Sequence, residues 1–318
     1  MNNIGSFLSN YNKHRKETTH KQCLAIDCPD KVIKAHSIQN NKILNKLSNN
    51  GDVMYFDFGK IEYPLNLRRI GRGKATTFSG FCSNHDSLIF RPIELYDYAP
   101  GDREQEFLFA YRSFARAYII KKSAKNLNLR MKTFLGQESD TMFTNSIEIA
   151  LINTLAKLEE HKVIFYKNLV HKKFHKIKTE TIIFEEEYSL AASTTFFLLG
   201  DINGKVINDT VNANKYISPF FLNVFPKNGK TYVLMSYFNK DKYMYLEVMK
   251  QILNSSIDKQ KNIISNLIII NAENFVFSPD KFNLLSLKEQ EHILNIYNKW
   301  ITHQPVKLAP IKDLNIFF

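Results

Sequence analysis

Cys23-Leu-Ala-Ile-Asp-Cys28-Pro29-Asp30 and Phe81-Cys82-Ser-Asn-His85-Asp86 decide how the first part of this chain is read. The pairs Cys23-x4-Cys28 and Cys82-x2-His85 stand 53 residues apart and together use every cysteine in the sequence. Zinc takes a tetrahedral shell of thiolates and imidazoles, and a short spacing lets one turn present two ligands while a second element brings the other two. Cys28-Pro29-Asp30 supplies a tight turn for the first pair. The second pair reads as a turn entering a helix through Leu88, Ile89 and Phe90. A knuckle pair followed by a helix-start pair is the ligand layout of a treble clef, so one structural zinc on Cys23, Cys28, Cys82 and His85 is expected. The competing reading is three ordinary buried cysteines and an unrelated histidine. Three cysteines in a chain read as cytoplasmic do not imply a disulfide framework.

Outward from these pairs, Lys21 to about Glu94 consists of short apolar pieces interrupted by Gly51, Gly59, Gly71, Gly73 and Gly80, which suits a metal-dependent segment more than a long helix. Within it, Leu67-Arg68-Arg69-Ile70-Gly71-Arg72-Gly73-Lys74-Ala75-Thr76-Thr77 gathers four cations around two glycines. Arg68, Arg69, Arg72 and Lys74 are therefore candidate phosphate contacts that position a nucleic acid without reading its bases; the alternative is a solvated loop. Gly71-Arg-Gly73-Lys74-Ala75 lacks the spacing and the final hydroxyl of a nucleotide-binding phosphate loop.

The charge is uneven in the same direction. The chain carries 43 Lys+Arg against 31 Asp+Glu, a formal net charge of +12. Residues 1–135 hold 22 against 12 and the remainder 21 against 19, so nearly all the excess lies in the first part. A strongly positive region of this kind is the electrostatic footprint of nucleic-acid binding, although a Lys-rich composition by itself also gives solvated charge. At 318 residues, with 44% hydrophobic residues and few Gly or Pro, the chain is long enough for about two globular domains. No apolar run of membrane-spanning length and no secretory leader pattern are read, so a soluble cytoplasmic protein is expected.

His36 lies eight residues past Cys28, in the strand-like Ile33-Lys-Ala-His36-Ser-Ile-Gln39. Cys-x4-Cys, then a strand histidine, then Cys-x2-His entering a helix resembles the zinc-stapled branch of the HNH, or ββα-metal, endonucleases. The resemblance covers about residues 21–94, roughly a fifth of the chain. It implies that His36 is the general base activating water against a phosphodiester, that Asp86 ligates a catalytic magnesium or manganese ion, and that Asn84 orients His36 or helps hold the ion. Glu94 is a reserve carboxylate. Two departures stand out: the position before the base is Ala35, where many members carry a metal ligand, and 45 residues separate His36 from Cys82. A structural role for His36 beside the zinc is the alternative to catalysis.

Elsewhere the readings are structural. A polar, basic leader of residues 1–20 suits a short helix or arm. Apolar spacing of three to four residues predicts a helix over 102–125, with Arg103, Arg112 and Arg116 on or near its polar flank, and another from about Asn145 on the stripe Ile147, Leu151, Leu155, Leu158, Phe165 and Leu169. That second helix ends in a basic run to Lys178, which complements a helix C-terminus. Strands are expected at Thr181–Phe184 and Leu190–Leu199, a hairpin at Phe220–Phe238 around Asn228-Gly229, and helices near 243–253 and 287–301. His161, His171, His175, His292 and His303 read as surface residues. The fold class is therefore α+β: a basic zinc-stapled treble-clef, HNH-like domain with its following helix over 1–135, then an α+β domain with an antiparallel sheet over 136–318. The expected function is a metal-dependent nucleic-acid endonuclease, acting on DNA in preference to RNA and suited to bacterial defence. The alternative is a non-catalytic zinc module docking nucleic acid or protein. The second domain is free to bind a protein partner or a second copy of the chain, and no membrane partner is expected.

Overall fold

The computed structural model describes residues 2–56, 64–135, 142–210, 212, 215–302 and 314–318. The polar break at 136–141 and His303 lie outside them. In chain order the elements are α1 (Asn2–Glu17), β1 (Ala35–His36), α2 (Asn45–Leu47, continuing a π-turn over Asn40–Leu44), β2 (Asp52–Phe56), β3 (Leu67–Gly71), β4 (Thr77–Phe78), α3 (Ser83–Leu95), α4 (Arg103–Leu135) and α5 (Met142–Val170). There follow β5 (Ile177–Phe184), β6 (Leu190–Phe196), β7 (Phe220–Lys227), β8 (Lys230–Phe238), α6 (Lys242–Leu253), α7 (Ile257–Asn271), β9 (Phe275–Phe277), α8 (Pro279–Leu284) and α9 (Leu287–Thr302). Helices and antiparallel strands together give the expected α+β class. No described helix is long and apolar enough to cross a membrane.

The chain packs as two compact units, each assembled from three stretches of sequence. One comprises residues 1–35, 78–91 and 115–172; the other comprises 36–77, 92–114 and 173–318. Residue 135, the expected end of the first domain, is the last residue of α4.

The second unit is built on a seven-stranded sheet in the order β3-β2-β9-β6-β7-β8-β5, with every pairing antiparallel. Alternate residues of a strand point to opposite faces. On one face Met54, Phe56, Leu190, Phe220, Leu222, Val233, Met235 and Phe277 pack with Val248, Ile252, Ile264, Leu267 and Ile293 from α6, α7 and α9. On the other, Val53, Ala191, Phe225, Leu234 and Val276 pack under Ile38, Ile43, Leu44, Leu47 and Tyr98. Because both faces are covered, β7 buries seven consecutive residues and its sequence shows no polar alternation. The β7–β8 turn has φ of +51° at Asn228 and +79° at Gly229, as a two-residue type I′ hairpin requires.

Three elements differ from expectation for identifiable reasons. The apolar stretch Leu267–Ile270, which none of the expected elements covers, lies inside α7, where residues 263–269 are all buried and so show no amphipathic period. The cationic segment 67–77 is half strand: Leu67–Gly71 pairs with β2, residues 72–76 turn, and Thr77 opens β4. α4 runs ten residues past the expected end, with no Gly or Pro to stop it before Leu135.

In the first unit the α5 stripe holds in part: Leu155, Leu158 and Phe165 are buried, whereas Leu151 and Leu169 are half-buried. His161, expected at the surface, is fully buried one turn before Phe165.

Candidate metal centre and the surroundings of His36

The first ligand pair is presented by a short closed loop. Gln22 and Lys31 form an antiparallel bridge across its ends, and Asp27 turns the chain with a left-handed φ of +57°. Asp and Asn enter that conformation at lower cost than most residues because their short polar side chains bond locally. The backbone N–H of Leu24 donates to the Gly80 carbonyl at 2.9 Å, and that of Ile33 to Phe81 at 2.8 Å, fastening the loop beside the second pair. A Cβ on Gly80 would lie 2.6 Å from a ring carbon of Phe78, so only glycine fits there without movement. Cys82 immediately precedes α3, and His85 stands in its first turn.

These elements bring Cys23, Cys28, Cys82 and His85 together, with all four ligand atoms within 4.8 Å of one another. A tetrahedral shell with metal–sulfur bonds of about 2.3 Å and metal–nitrogen bonds of about 2.0–2.1 Å has edges of about 3.8 Å between sulfurs and about 3.5 Å between sulfur and nitrogen. The observed Cys28 Sγ to Cys82 Sγ distance is 3.8 Å, Cys23 Sγ to His85 Nδ1 is 3.6 Å and Cys82 Sγ to His85 Nδ1 is 3.2 Å. The fit to a four-coordinate divalent ion is close. Backbone donors point at the sulfurs as well: the N–H of Cys82 lies 3.4 Å from Cys23 Sγ, and that of His85 lies 3.5 Å from Cys82 Sγ. The Asp30 backbone pulls the Cys28 thiol down, but burial and the neighbouring Cys23 and Cys82 outweigh it and push it up to about 11. A metal ligand binds as thiolate, so a bound cation would offset that cost at Cys28. The cluster therefore could hold a metal such as zinc through Sγ of the three cysteines and Nδ1 of the histidine.

His36 belongs to the second unit and is half-buried. Its Nε2 lies 3.0 Å from the Arg72 carbonyl oxygen. A carbonyl only accepts, so Nε2 carries the hydrogen and the lone pair is on Nδ1. Burial lowers the imidazole pKa; the Arg72 carbonyl and the Glu94 carboxylate oppose this, while the guanidinium groups of Arg112 and Arg72 reinforce it. The ring is thus held neutral at physiological pH. Arg112, expected on a polar flank, is buried and forms an ion pair with Glu94; Arg116 is buried too. Arg112 was legible only as a cation within the apolar run Leu108–Tyr118, and its pairing with a residue 18 positions earlier left no local signal. The reserve carboxylate Glu94 is therefore engaged.

Asn84 is exposed and Asp86 half-buried on the first turn of α3, in the unit that holds the cysteine cluster. Of the cationic segment, Arg69 and Lys74 are exposed, whereas Arg68 and Arg72 are half-buried. Arg69 donates to Asn49 Oδ1 at 2.7 Å, and Arg72 donates to the Asn40 carbonyl and Oδ1 at 3.2 and 3.1 Å. The segment thus presents two outward cations on a strand and its turn. Comparison with known proteins returns no match: no family model, no curated protein and no solved structure resembles the chain.

Proposed function

We propose that this chain is a zinc-stapled, treble-clef nucleic-acid-binding protein of the HNH endonuclease kind, with His36 as general base in the hydrolysis of a phosphodiester bond. The observation that carries the reading is the orientation of His36. Its Nε2–H is fixed on the Arg72 carbonyl and its ring is kept neutral, which leaves Nδ1 as a proton acceptor. A base in this state at neutral pH, with its second nitrogen tied down, is what proton abstraction from water needs. Arg72 adds positive charge beside it, of the sign that a phosphate requires, whereas the Arg112 charge is paired with Glu94. The cysteine–histidine tetrahedron supports the structural half of the reading, with zinc as the ion. Arg69 and Lys74 supply outward phosphate contacts, with Arg68 and Arg72 behind them. The resemblance assigns a magnesium-like ion to Asp86, with Asn84 assisting; such an ion, when bound, stabilises charge on the phosphate. A cytoplasmic enzyme that cuts foreign DNA in bacterial defence is the biological setting this chemistry suits.

A second reading, a non-catalytic module that only docks nucleic acid, is favoured by one observation. Ala35 precedes His36 and Glu94 is taken by Arg112, so the residues around the base offer few oxygen ligands.

Nicking of plasmid DNA and cleavage of RNA by the purified chain, with added magnesium or manganese, separate the two. Catalysis through His36 predicts that His36→Ala lowers cutting by about 10²–10⁴ while metal content and folding are unchanged. Full-rate cutting in both His36→Ala and Asp86→Ala refutes the assignment. Binding without cutting in the wild type selects the docking module.

A further inference from the structure

The unit that holds the metal cluster also contains a cavity of about 450 Å³, within the range of small-molecule sites. It is lined by residues 17–22, which run from the end of α1 toward Cys23, and by Lys122, Asn126, Leu129 and Arg130 of α4. The α4 positions recur at intervals of four, three and one, so they form one face of that helix.

Its charge is one-sided. Glu17 is the single carboxylate in the lining, and it is taken up by Arg130, with His14 Nδ1 a further 3.6 Å from it. Lys21 and Lys122 form no ion pair with any described residue, although the Lys122 charge acts at longer range on the Glu159 carboxylate, which Lys162 holds at 2.8 Å. The Lys122 ammonium instead lies over the Tyr118 ring, 5.6 Å from its centroid. Next to them the Nε2 of His20 is shielded from solvent and has no hydrogen-bond partner among the described residues. The positive potential of the place registers on that ring: burial and then Lys122 lower the His20 pKa, the Gln22 backbone opposes them, and Lys162 adds to the lowering. The helix end that would otherwise repel an anion is already satisfied. Thr18 Oγ1 donates to the His14 carbonyl at 2.8 Å and Thr19 Oγ1 to that of Arg15 at 3.1 Å.

We propose that this cavity binds a phosphate group, carried either by a free nucleotide or by a nucleic-acid strand. Two ammonium groups that form no ion pair with a described residue come from separate stretches of chain to line a space of nucleotide size, with Asn126 and Leu129 at its side to meet a polar edge and an apolar face. Lysines act as point-charge donors to the several oxygens of a phosphate and do not demand planar geometry. The site does not depend on whether His36 cuts nucleic acid.

The test uses the full metal-loaded chain and three probes, inorganic phosphate, AMP and a 5′-phosphorylated oligonucleotide, each followed by titration calorimetry. The wild type should bind at least one probe, and Lys122→Glu should weaken that binding by about tenfold or more, the scale of a lost charge-assisted hydrogen bond, with circular dichroism and metal content preserved. Lys122→Gln should give a smaller loss in the same direction. If Lys122→Glu does not fold, Lys21→Glu, at an exposed position, provides the same measurement. Binding of AMP and phosphate identifies a free nucleotide, whereas binding of the oligonucleotide alone identifies the strand. Equal affinity in wild type and charge-reversed variants, or no affinity of the wild type for any probe, overturns the proposal. Binding that is unchanged in His36→Ala keeps this outcome distinct from failure of the nuclease reading.

Discussion

Residues 21–35 and the seven-stranded sheet represent two ways of holding a chain together. Over 21–35 only Cys23, Cys28 and Ala35 are buried, while Ile26 and Ile33 remain 49% and 39% exposed. So little apolar area leaves water there that burial cannot offset the entropy of ordering the backbone. What orders the loop is the convergence of four ligand atoms and a few backbone bonds to residues 80–82. The sheet is the opposite case, with both faces covered and Phe220, Leu222, Val233, Met235 and Phe277 withdrawn from solvent. The same polypeptide therefore gathers potential metal ligands in one stretch and relies on packing in another, and with a metal bound the two should fail under different insults.

The largest expected difference is the response to metal removal. Structural zinc contributes apparent binding energies of about 10–16 kcal/mol at pH 7, far more than the exposed apolar residues of 21–35 can supply. Purified protein should contain one zinc per chain. Chelation, or Cys82→Ser, should strip hydrogen-exchange protection from the amides of Leu24, Ile33 and Cys82 while amides of β7 and β8 keep theirs. A metal-free preparation in which those loop amides remain protected would show that backbone bonds alone suffice and that the comparison is misdrawn.

The converse perturbation is smaller. Phe220 is fully buried in the sheet's helix-covered face, with ring centroids of Phe196 and Tyr245 at 5.5 and 5.4 Å. Phe220→Ala should cost about 3–5 kcal/mol, read as a fall in the urea midpoint with an unchanged slope. Zinc content at one per chain should survive it. Loss of zinc together with the sheet would mean that the two devices are not independent.

The two regions were also unequally legible in the sequence, for the same physical reason. Coordination needs rare residue types at short spacings, so Cys23-x4-Cys28 and Cys82-x2-His85 named all four members of the cluster directly. Asn228-Gly229 located the β7–β8 hairpin because only residues tolerant of positive φ serve a type I′ turn. Long-range packing left no comparable mark. β2 pairs with β9 through Met54 and Phe277, more than 200 positions apart, and nothing near Met54 announces its partner. Burial on both faces removed the alternation that would have marked central strands, and the unbroken burial of 263–269 hid the second half of α7 within an apolar run. Buried polar residues were least legible. His161 sits among Glu159, Glu160 and Lys162, and Arg112 depends on Glu94, so each looked like a surface residue until its neighbours in space were known.

The finest discrimination comes from two glycines, one fastening the 21–35 loop from outside it and one in the hairpin of the sheet. Gly229 has φ of +79° and nothing within 4 Å of where a Cβ would stand, so Gly229→Ala meets backbone strain without a clash. An L-residue held in the left-handed region costs about 1–2 kcal/mol, and the loss should appear in the stability of the sheet alone. Gly80 is the reverse: it carries no positive φ, but a Cβ would fall 2.6 Å from the Phe78 ring, and its carbonyl accepts the Leu24 N–H that fastens the ligand loop. Overpacking there costs about 1–3 kcal/mol and must be relieved by shifting either the ring or that strand of backbone. If the backbone shifts, the Cys23–Cys82 side of the tetrahedron is displaced with it. Gly80→Ala should therefore weaken zinc binding in a chelator competition, whereas Gly229→Ala should leave zinc affinity at the wild-type value while lowering the urea midpoint. Equal zinc affinity in both variants would show that Phe78 rotates aside, and that the ligand loop is held more by its own coordination than by its attachment to Gly80.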